Sequence, residues 1–397
     1  MLRKLIAIAL AIISISTAIA AGTDSISSAN ISNMQWHMGA EASLGYVPGT
    51  NAFLRGYNLN LMRIRGSASG EMRVGCSFAA NSRQGLLYKG LYQGIGVSAN
   101  SFFTPSLLGS PTAVYVYQGV PIVHFTPRIW LGYEWKFGAA FGWKHHKEDI
   151  DDNNAVVSTS VTALMHLGVK LNYSLNDKWT VWLGGEGAHY SNGNTSWPNA
   201  GINSVGITVG AVYTFNQQKK PDIDIRNLER DADRGRWVYD IMAYGAWRKR
   251  AVSIGNPAMP ELCPGKFGVL GLQLSPMRVL NRWVAVGPSL DLQWDEGAGL
   301  SPYWVEGTHD SYLKFERPPF GKRIKAGISA HAELTMPIFS INAGIGYDFI
   351  NPKGDKRFYQ SLSLKTFITR HLYLNIGYRL GDFKDPQNLM LGVGVRI

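Results

Sequence analysis

The sequence predicts an all-β protein, a transmembrane antiparallel β-barrel, from three observations. The 397 residues are 45% hydrophobic but only 17% charged, and they include 44 Gly, 18 Tyr, 16 Phe and 12 Trp. After the N-terminal segment, no run is long and apolar enough for a membrane helix. Instead, about 16 segments alternate apolar with small or polar residues, as strands with one lipid-facing and one inward face do.

Residues 1–20 have the pattern of a secretory signal peptide. Arg3 and Lys4 precede an apolar run over 5–15, and Ala18-Ile19-Ala20 is a small-x-small cleavage pattern. The residue directly after the predicted cleavage site is Ala21 and not a cysteine, so we expect no lipoprotein anchor. Export combined with a barrel pattern predicts the outer membrane of a Gram-negative bacterium.

The net charge of the chain indicates which kind of partner to expect, and the two cysteines indicate whether to expect a disulfide. The formal net charge of +11 suits a membrane rich in phosphorylated lipid. Nucleic acid is not an expected partner, because no basic face with interleaved aromatic residues is present. Cys76 lies in a strand pattern and Cys263 in a Pro-rich segment, so we expect no disulfide between them.

Eight candidate strands come first, and the fifth shows the alternation most plainly. Its predicted lipid face is Ile129, Leu131, Tyr133, Trp135, Phe137, Phe141 and Trp143. Glu134 and Lys136 would face the interior and pair there, and His166 of the sixth strand is also predicted to be an interior polar residue. The first eight predicted strands are 34–46, 69–80, 91–103, 112–124, 129–144, 157–175, 179–191 and 202–215.

The alternation stops at Asn216 and resumes after a charged segment. Residues 216–235 read as a periplasmic linker between a catalytic region, 21–215, and a second region, 236–397. The eight plus eight count leaves open one large barrel or two tandem eight-stranded barrels. The later predicted strands are 236–250, 265–276, 282–294, 322–336, 339–350, 358–369, 371–381 and 388–397.

A His-x-Ser pair stands at the end of the seventh predicted strand. His189 and Ser191 lie two residues apart on its apolar face, and Asn203 lies on the same face across the hairpin. A serine hydroxyl becomes a nucleophile when a base takes its proton and a third group fixes the tautomer of the imidazole. We therefore predict Ser191 as nucleophile, His189 as base and Asn203 as orienting residue, with Asn192 and Asn199 as oxyanion donors.

The same stretch resembles the signature of the PagL family of lipid A 3-O-deacylases, also called acyloxyacyl hydrolases. The resemblance is carried by His189, Ser191, Asn192, Pro198, Asn199 and Gly201. It implies an eight-stranded outer-membrane barrel over the first region and a serine esterase without a cofactor. The implied substrate is lipid A, the lipopolysaccharide anchor of the outer leaflet. The studied member of that family has a Glu where this chain has Asn203.

Two alternatives remain open at this point. Outer-membrane phospholipase A is similar in its His-x-Ser-Asn-Gly string, here beginning at His189, and in an Asn third member. That resemblance implies a calcium-dependent dimer of twelve-stranded barrels. The other alternative is a non-enzymatic, porin-like barrel in which His-x-Ser is incidental. The second region carries Tyr378-Arg379-Leu380 where a duplicated His-x-Ser would stand.

Two further groups of residues could bind ligands. His145 and His146 precede four acids within six residues and could hold a divalent ion, although we expect a solvated loop and no metal site. A second group lies near predicted outer strand ends and could bind lipid A phosphates, or could simply anchor the interface. Its members are Arg63, Arg65, Arg248, Lys249 and Arg250. The acids of the first group are Glu148, Asp149, Asp151 and Asp152.

Overall fold

A computed structural model describes residues 34–79, 85, 88, 90–146, 153–215, 234–254, 259–306, 311–383 and 385–397. The predicted signal peptide lies outside these residues, as does most of the predicted linker. Within the described part, twenty strands, β1 to β20, form two closed barrels and two separate hairpins. The fold class predicted from sequence is confirmed, and of the two closures left open the chain adopts two eight-stranded barrels.

The first barrel consists of eight antiparallel strands in sequence order, closed by pairing of the first with the last. Ten residue pairs join them, from His37–Thr214 to Tyr46–Val205. All eight begin and end within four residues of their predicted bounds. They are β1 (Met34–Tyr46), β2 (Gly66–Phe78), β3 (Tyr92–Ser101), β4 (Gly109–His124), β5 (Ile129–Trp143), β6 (Val161–Ser174), β7 (Trp179–Ser191) and β8 (Ile202–Thr214).

A balanced set of charges fills the middle of the first barrel. Three cations and three carboxylates are buried there and linked by ion pairs: Arg73, Lys136 and Lys170 with Glu41, Glu71 and Glu134. Glu41 alone accepts bonds from Lys136 at 2.7 Å, from Lys170 at 2.6 Å and from the Trp182 indole at 3.0 Å. Because each buried charge has partners of opposite sign, the polar interior is stabilised away from bulk water.

Two predictions about the fifth strand need correction. Glu134 and Lys136 both point inward, but Lys136 binds Glu41 and Glu71, while Glu134 binds Arg73 and Lys170. Trp143 does not face lipid; it is 4% exposed and stacks on Phe102 with ring centroids 5.6 Å apart. The alternation fails there because Gly142 has φ +92° and the pairing of β4 with β5 shifts register beside it.

The loops at one end of the first barrel form a packed cap, which we call the loop-end cluster. It joins the β1–β2 loop (residues 47–65), a four-residue helix α1 (Pro105–Leu108) and the β5–β6 loop to the upper interior of the barrel. Its side chains are at most 5% exposed, so the loops are fixed by apolar burial. Members include Val47, Phe53, Leu54, Ile64, Phe102, Leu108, Trp143, Val156, Val157, Tyr190 and Ile202.

The second barrel also has eight antiparallel strands, closed by pairing of its last strand with its first. The short hairpins β10 (Ala251–Ile254) with β11 (Met259–Leu262), and β14 (Ser301–Glu306) with β15 (Ser311–Glu316), escaped sequence prediction because their strands are short. The barrel strands are β9 (Trp237–Arg248), β12 (Phe267–Asn281), β13 (Val284–Asp295), β16 (Ile324–Thr335), β17 (Phe339–Ile350), β18 (Phe358–Phe367), β19 (Leu372–Gly381) and β20 (Asp385–Arg396).

Ion pairs fill the second barrel as well. Lys365 donates to Asp240 at 2.6 Å and to Glu333 at 2.7 Å, and Arg379 donates to Asp348 at 2.6 Å. All five side chains are at most 5% exposed. Interiors filled with paired side chains differ from the water-filled lumen of a porin, which disfavours the channel alternative.

Both cysteines are free, as predicted. No helix within the described ranges is long and apolar enough to cross a membrane.

The closure of the first barrel predicts the behaviour of a fragment that ends at Phe215. Its two terminal strands pair with each other, so no strand edge is left with unpaired backbone groups in lipid. We expect the fragment to insert into membranes and to show a heat-modifiable gel mobility like that of the full chain. A fragment that aggregates or is degraded would contradict this independent closure.

Candidate active site

The alternation of β7 places the His-x-Ser pair on the outer face of the first barrel. Tyr190 is 5% exposed inside the barrel, whereas His189 and Ser191, its two neighbours, point outward and are half-buried. His189 lies directly opposite Asn203 of β8 in the strand register. The three predicted residues therefore meet on one lipid-facing surface at the loop end of the strand pair.

A short hydrogen bond fixes the His189 ring. Its Nδ1 lies 2.7 Å from Oδ1 of Asn203. An amide oxygen can only accept, so Nδ1 carries the proton and donates it. Nε2 then keeps its lone pair, which is the tautomer that a general base requires.

Gly201 lies beside both His189 and Ser191. A methyl group on its Cα would lie 3.0 Å from Cε1 of His189 and 3.5 Å from Cβ of Ser191. Both side chains are therefore close to one point, although their Cα atoms are about 6.6 Å apart along a strand. Gly201 also has φ +66°, a conformation that disfavours other residues. The absent side chain leaves a space that the His189 ring and the Ser191 side chain both border.

The loop after Ser191 is held by Asn192 and Asn199. The backbone N–H of Asn192 donates to Oδ1 of Asn199 at 2.9 Å. The Asn192 side-chain amide donates to Ser158 Oγ at 3.0 Å and to the Ser196 carbonyl at 3.1 Å. These bonds use the donors of Asn192 to shape the loop. The Nδ2 of Asn199 has no such bond in the described part of the chain, so of the two predicted oxyanion donors Asn199 is the one whose side-chain N–H groups are not used in these bonds.

The β5–β6 loop supports the site from the side. Its Ala155 and Val156 carbonyls accept hydrogen bonds from the backbone N–H groups of Ala200, at 2.9 Å, and Gly201, at 3.1 Å. Val156 is fully buried in the loop-end cluster. The position of Gly201 beside the His-x-Ser pair therefore depends on the packing of another loop, which a sequence motif does not reveal.

Tyr190 anchors the site strand from inside the barrel. Its hydroxyl donates to Asn100 Oδ1 at 3.1 Å, and its ring meets Trp143 edge-on at 5.4 Å. Because Tyr190 lies between His189 and Ser191 in sequence, its burial holds the backbone from which both outward side chains project.

The five cations predicted to bind lipid A phosphates differ in their exposure and in their partners. Arg248 is 6% exposed and forms an ion pair with Asp295, so it is not a surface phosphate ligand. Arg250 is likewise bound to Asp355. Arg63 and Arg65 are exposed. Lys249, the fifth cation of that group, is half-buried.

Two further predictions concern the acidic loop that could hold a divalent ion and the interior position of His166. The acids that follow His146 lie outside the described residues. Among the residues that are described, no group of three or more His, Cys, Asp or Glu could hold a metal ion. His166 is an interior residue, as predicted, and its Nε2 lies 2.9 Å from Glu186 Oε2.

Sequence analysis missed a second Ser–His–Asn array, inside the second barrel. Ser329 Oγ lies 2.8 Å from His331 Nε2, and His331 Nδ1 lies 2.5 Å from Asn342 Oδ1. The order Ser-x-His hides it from a search for His-x-Ser. These side chains are at most 5% exposed, and the Ser329 hydroxyl donates to Asp291 at 2.6 Å. A buried serine whose hydroxyl hydrogen is directed to a carboxylate, and not to the histidine, is a structural residue.

Gly201→Ala tests the convergence at the site. The new methyl group would approach the Tyr190 carbonyl at 2.9 Å and force a left-handed conformation on alanine. We expect labelling of Ser191 by a fluorophosphonate probe to fall at least tenfold while the barrel stays folded. The measurement is probe incorporation at Ser191 by peptide mass spectrometry, with heat-modifiable mobility as the folding control. Undiminished labelling would show that the geometry does not need this glycine.

Comparisons with known proteins give family matches in both barrels. The family "Lipid A 3-O-deacylase (PagL)" matches residues 91–212, and "Acyloxyacyl hydrolase, C-terminal domain" matches 237–397. No curated protein sequence matches the chain.

Solved structures that the chain matches include Neisserial surface protein A, at 9% identity and TM-score 0.28 over 45% of this chain and 97% of that one. Another is the Ralstonia pickettii toluene transporter TbuX, at 8% identity and TM-score 0.17 over 92% of this chain and 88% of that one. The two family matches lie in the first and second barrels and name related hydrolases. The chain belongs to the PagL-type family of lipid A deacylases and acyloxyacyl hydrolases.

Proposed function

We propose that this protein is an outer-membrane serine esterase that removes an ester-linked acyl chain from lipid A. The observation that carries the proposal is the His189–Asn203 hydrogen bond on the lipid-facing side of the barrel, next to Ser191. A structural polar network would be expected inside, where the ion-paired side chains of this barrel lie. Family membership supports the substrate class.

The proposed reaction proceeds by acyl transfer to Ser191. Nε2 of His189 takes the Oγ proton as Oγ attacks the ester carbonyl, and the imidazolium gives that proton to the departing sugar oxygen. A water molecule, deprotonated by His189 in turn, then releases the fatty acid and restores the serine. The Nδ2 of Asn199 would donate to the oxyanion of each tetrahedral intermediate. No cofactor takes part in this scheme.

The surface around the site suits a substrate with both polar and apolar parts. Leu183, Val205 and Ile207 lie on the same outer face and are each at least 57% exposed. Acyl chains can pack against these side chains below the site. The loop from Asn192 to Asn199, on the other side of Ser191, offers amides and hydroxyls for a sugar headgroup. The scissile ester would then lie where the two surfaces meet.

The calcium-dependent phospholipase alternative has less support from the donor groups at the site. Glu186, the carboxylate nearest to His189 in sequence, points into the barrel and binds His166. The hairpin between β7 and β8 contains amides and hydroxyls but no carboxylate. Hard divalent cations prefer carboxylate oxygens, so the lipid A reading is the one we propose.

Ser191→Ala should abolish fatty-acid release from purified lipid A without unfolding the barrel, because Ser191 faces outward. Ser204→Ala is the matched control, since it removes a hydroxyl from the inward face of the same hairpin and should leave activity unchanged. The assay is mass spectrometry of lipid A and of released fatty acid, in detergent, with EDTA or added calcium. Full activity of Ser191→Ala would show that Ser191 is not the nucleophile. Calcium-dependent cleavage of phospholipid, with lipid A untouched, would favour phospholipase A.

Asn203 gives a test of the third position. Asn203→Leu removes the acceptor of the Nδ1 proton, so we expect kcat to fall by about 100-fold or more with KM little changed. Asn203→Glu keeps an acceptor and adds a charge that stabilises the imidazolium, so it should retain or raise kcat. Steady-state kinetics on purified lipid A measure both variants. Equal activity of wild type and Asn203→Leu would place the orienting residue elsewhere.

A further inference from the structure

The β1–β2 loop has an unusual composition for an exposed segment. Residues 47–65 contain three arginines and no acidic residue. The loop also presents four large apolar side chains to its surroundings, each at least 60% exposed: Tyr57, Leu59, Leu61 and Met62. Contiguous exposed apolar groups beside unopposed positive charge mark an interaction surface.

This loop is a built structure that holds those side chains in place. Phe53, Leu54 and Ile64 are at most 2% exposed in the loop-end cluster. The amide of Asn58 donates to the Phe53 and Met62 carbonyls, each at 2.8 Å. Apolar residues of the same loop are thus divided into a buried set that anchors it and an exposed set that points away.

Two of the exposed apolar residues occupy strained backbone conformations. Leu61 has φ +51° and is 84% exposed, and Phe103 of the β3–β4 loop has φ +57° and is 62% exposed. Bulky side chains rarely adopt positive φ, where Gly or Asn would be less strained. The two loops are joined by a bond from Asn60 Nδ2 to Ser106 Oγ at 2.9 Å. The fold therefore bears strain at two adjoining places to present apolar groups that it does not bury.

The arginines of the loop are available to a ligand. Arg55, Arg63 and Arg65 are exposed, and none forms an ion pair or side-chain hydrogen bond within the described ranges. Gly49 and Gly56 leave room for two of their stems, because an added methyl group would lie 2.9 Å from Arg55 Cγ and 3.6 Å from Arg63 Cγ. The guanidinium groups thus remain unneutralised next to the apolar residues.

We propose that the β1–β2 loop, with Phe103, is the surface that binds the phosphorylated headgroup of a lipid. Arg55, Arg63 and Arg65 bind its phosphates, and the exposed apolar side chains enter the adjoining acyl layer. The loop is next to the candidate active site, because β1 pairs with β8 up to Tyr46–Val205 and Asn203 lies two residues further along β8. The inference rests on the proposed function for its substrate class and adds the recognition of phosphate.

Charge and chemistry favour a lipid over a protein partner. Guanidinium groups bind phosphate oxygens in pairs, and each cation near an anionic leaflet strengthens attachment roughly fivefold. Long arginine stems cover apolar groups while their charged ends stay at the headgroup level. A second copy of this chain would present the same three positive charges, which would oppose self-association through this surface.

The test measures binding of lipid A by the full-length protein in detergent, in a Ser191→Ala background that does not consume the ligand. The probes are lipid A with both phosphates and the same lipid after removal of the phosphates. Arg63→Gln combined with Arg65→Gln should raise the half-saturation concentration of the phosphorylated lipid about 25-fold and leave the other unchanged. The matched control is Arg128→Gln combined with Lys178→Gln, which removes two exposed cations from turns at the opposite end of this barrel and should change neither.

Leu61→Asn separates lipid contact from stability. Asparagine tolerates positive φ, so the variant should unfold at the same or a higher temperature while binding both lipids several-fold more weakly. Three outcomes would each overturn the inference. The protein with the unsubstituted loop could bind both lipids equally well, or millimolar inorganic phosphate alone could displace the phosphorylated lipid. The arginine variant could also lose a dimer while its lipid binding stays unchanged. If the protein with Ser191 intact binds lipid A through these arginines but does not hydrolyse it, the proposed function is refuted and the lipid-binding inference is not.

Discussion

Pairing of β1 with β8 is the interaction on which the candidate site depends. Lipid offers no hydrogen-bond partner to a strand edge, so a membrane sheet must close on itself. Closure fixes an inside and an outside, and the two-residue period of a strand then assigns every side chain to one of them. On β7, this assigns Tyr190 to the interior and both His189 and Ser191 to the lipid side. A slip of one residue would bury the imidazole and expose the tyrosine.

The two faces of β7 act together. Inward, Tyr190 joins the loop-end cluster and hydrogen-bonds Asn100, which lies on β3. Outward, the one side-chain hydrogen bond of the His189 ring among the described residues is to Asn203. The backbone that carries the outward pair is therefore held by the packed inward side, together with the β5–β6 loop that holds Gly201. The balanced ion pairs deeper in the barrel keep the strands beneath this cap in register.

Sequence periodicity predicted strands and faces well because membrane strands have two unlike faces, and it placed His189, Ser191 and Asn203 on one surface. It could not choose between one barrel and two, because closure is set by which distant strands pair. It also failed where glycine breaks the alternation, as at Trp143 beside Gly142. Arg248 looked like a surface cation because its partner, Asp295, is distant in sequence. Supports such as Ala155 and Val156 carry no motif.

The two groups of Ser, His and Asn differ in burial and in the charges around them. Both use an asparagine oxygen at Nδ1 of the histidine, and this bond is shorter in the buried group, at 2.5 Å against 2.7 Å. The array of the second barrel lies inward and its serine hydroxyl donates to Asp291, so its histidine does not receive the hydrogen bond of that serine. The outward array faces apolar surface, where an unpaired carboxylate would be costly to desolvate. A neutral Asn203 fixes the ring without that penalty, at the expense of weaker support for the imidazolium. The burial of the three residues and the charges around them, more than the residue types themselves, distinguish a candidate active site from a structural network.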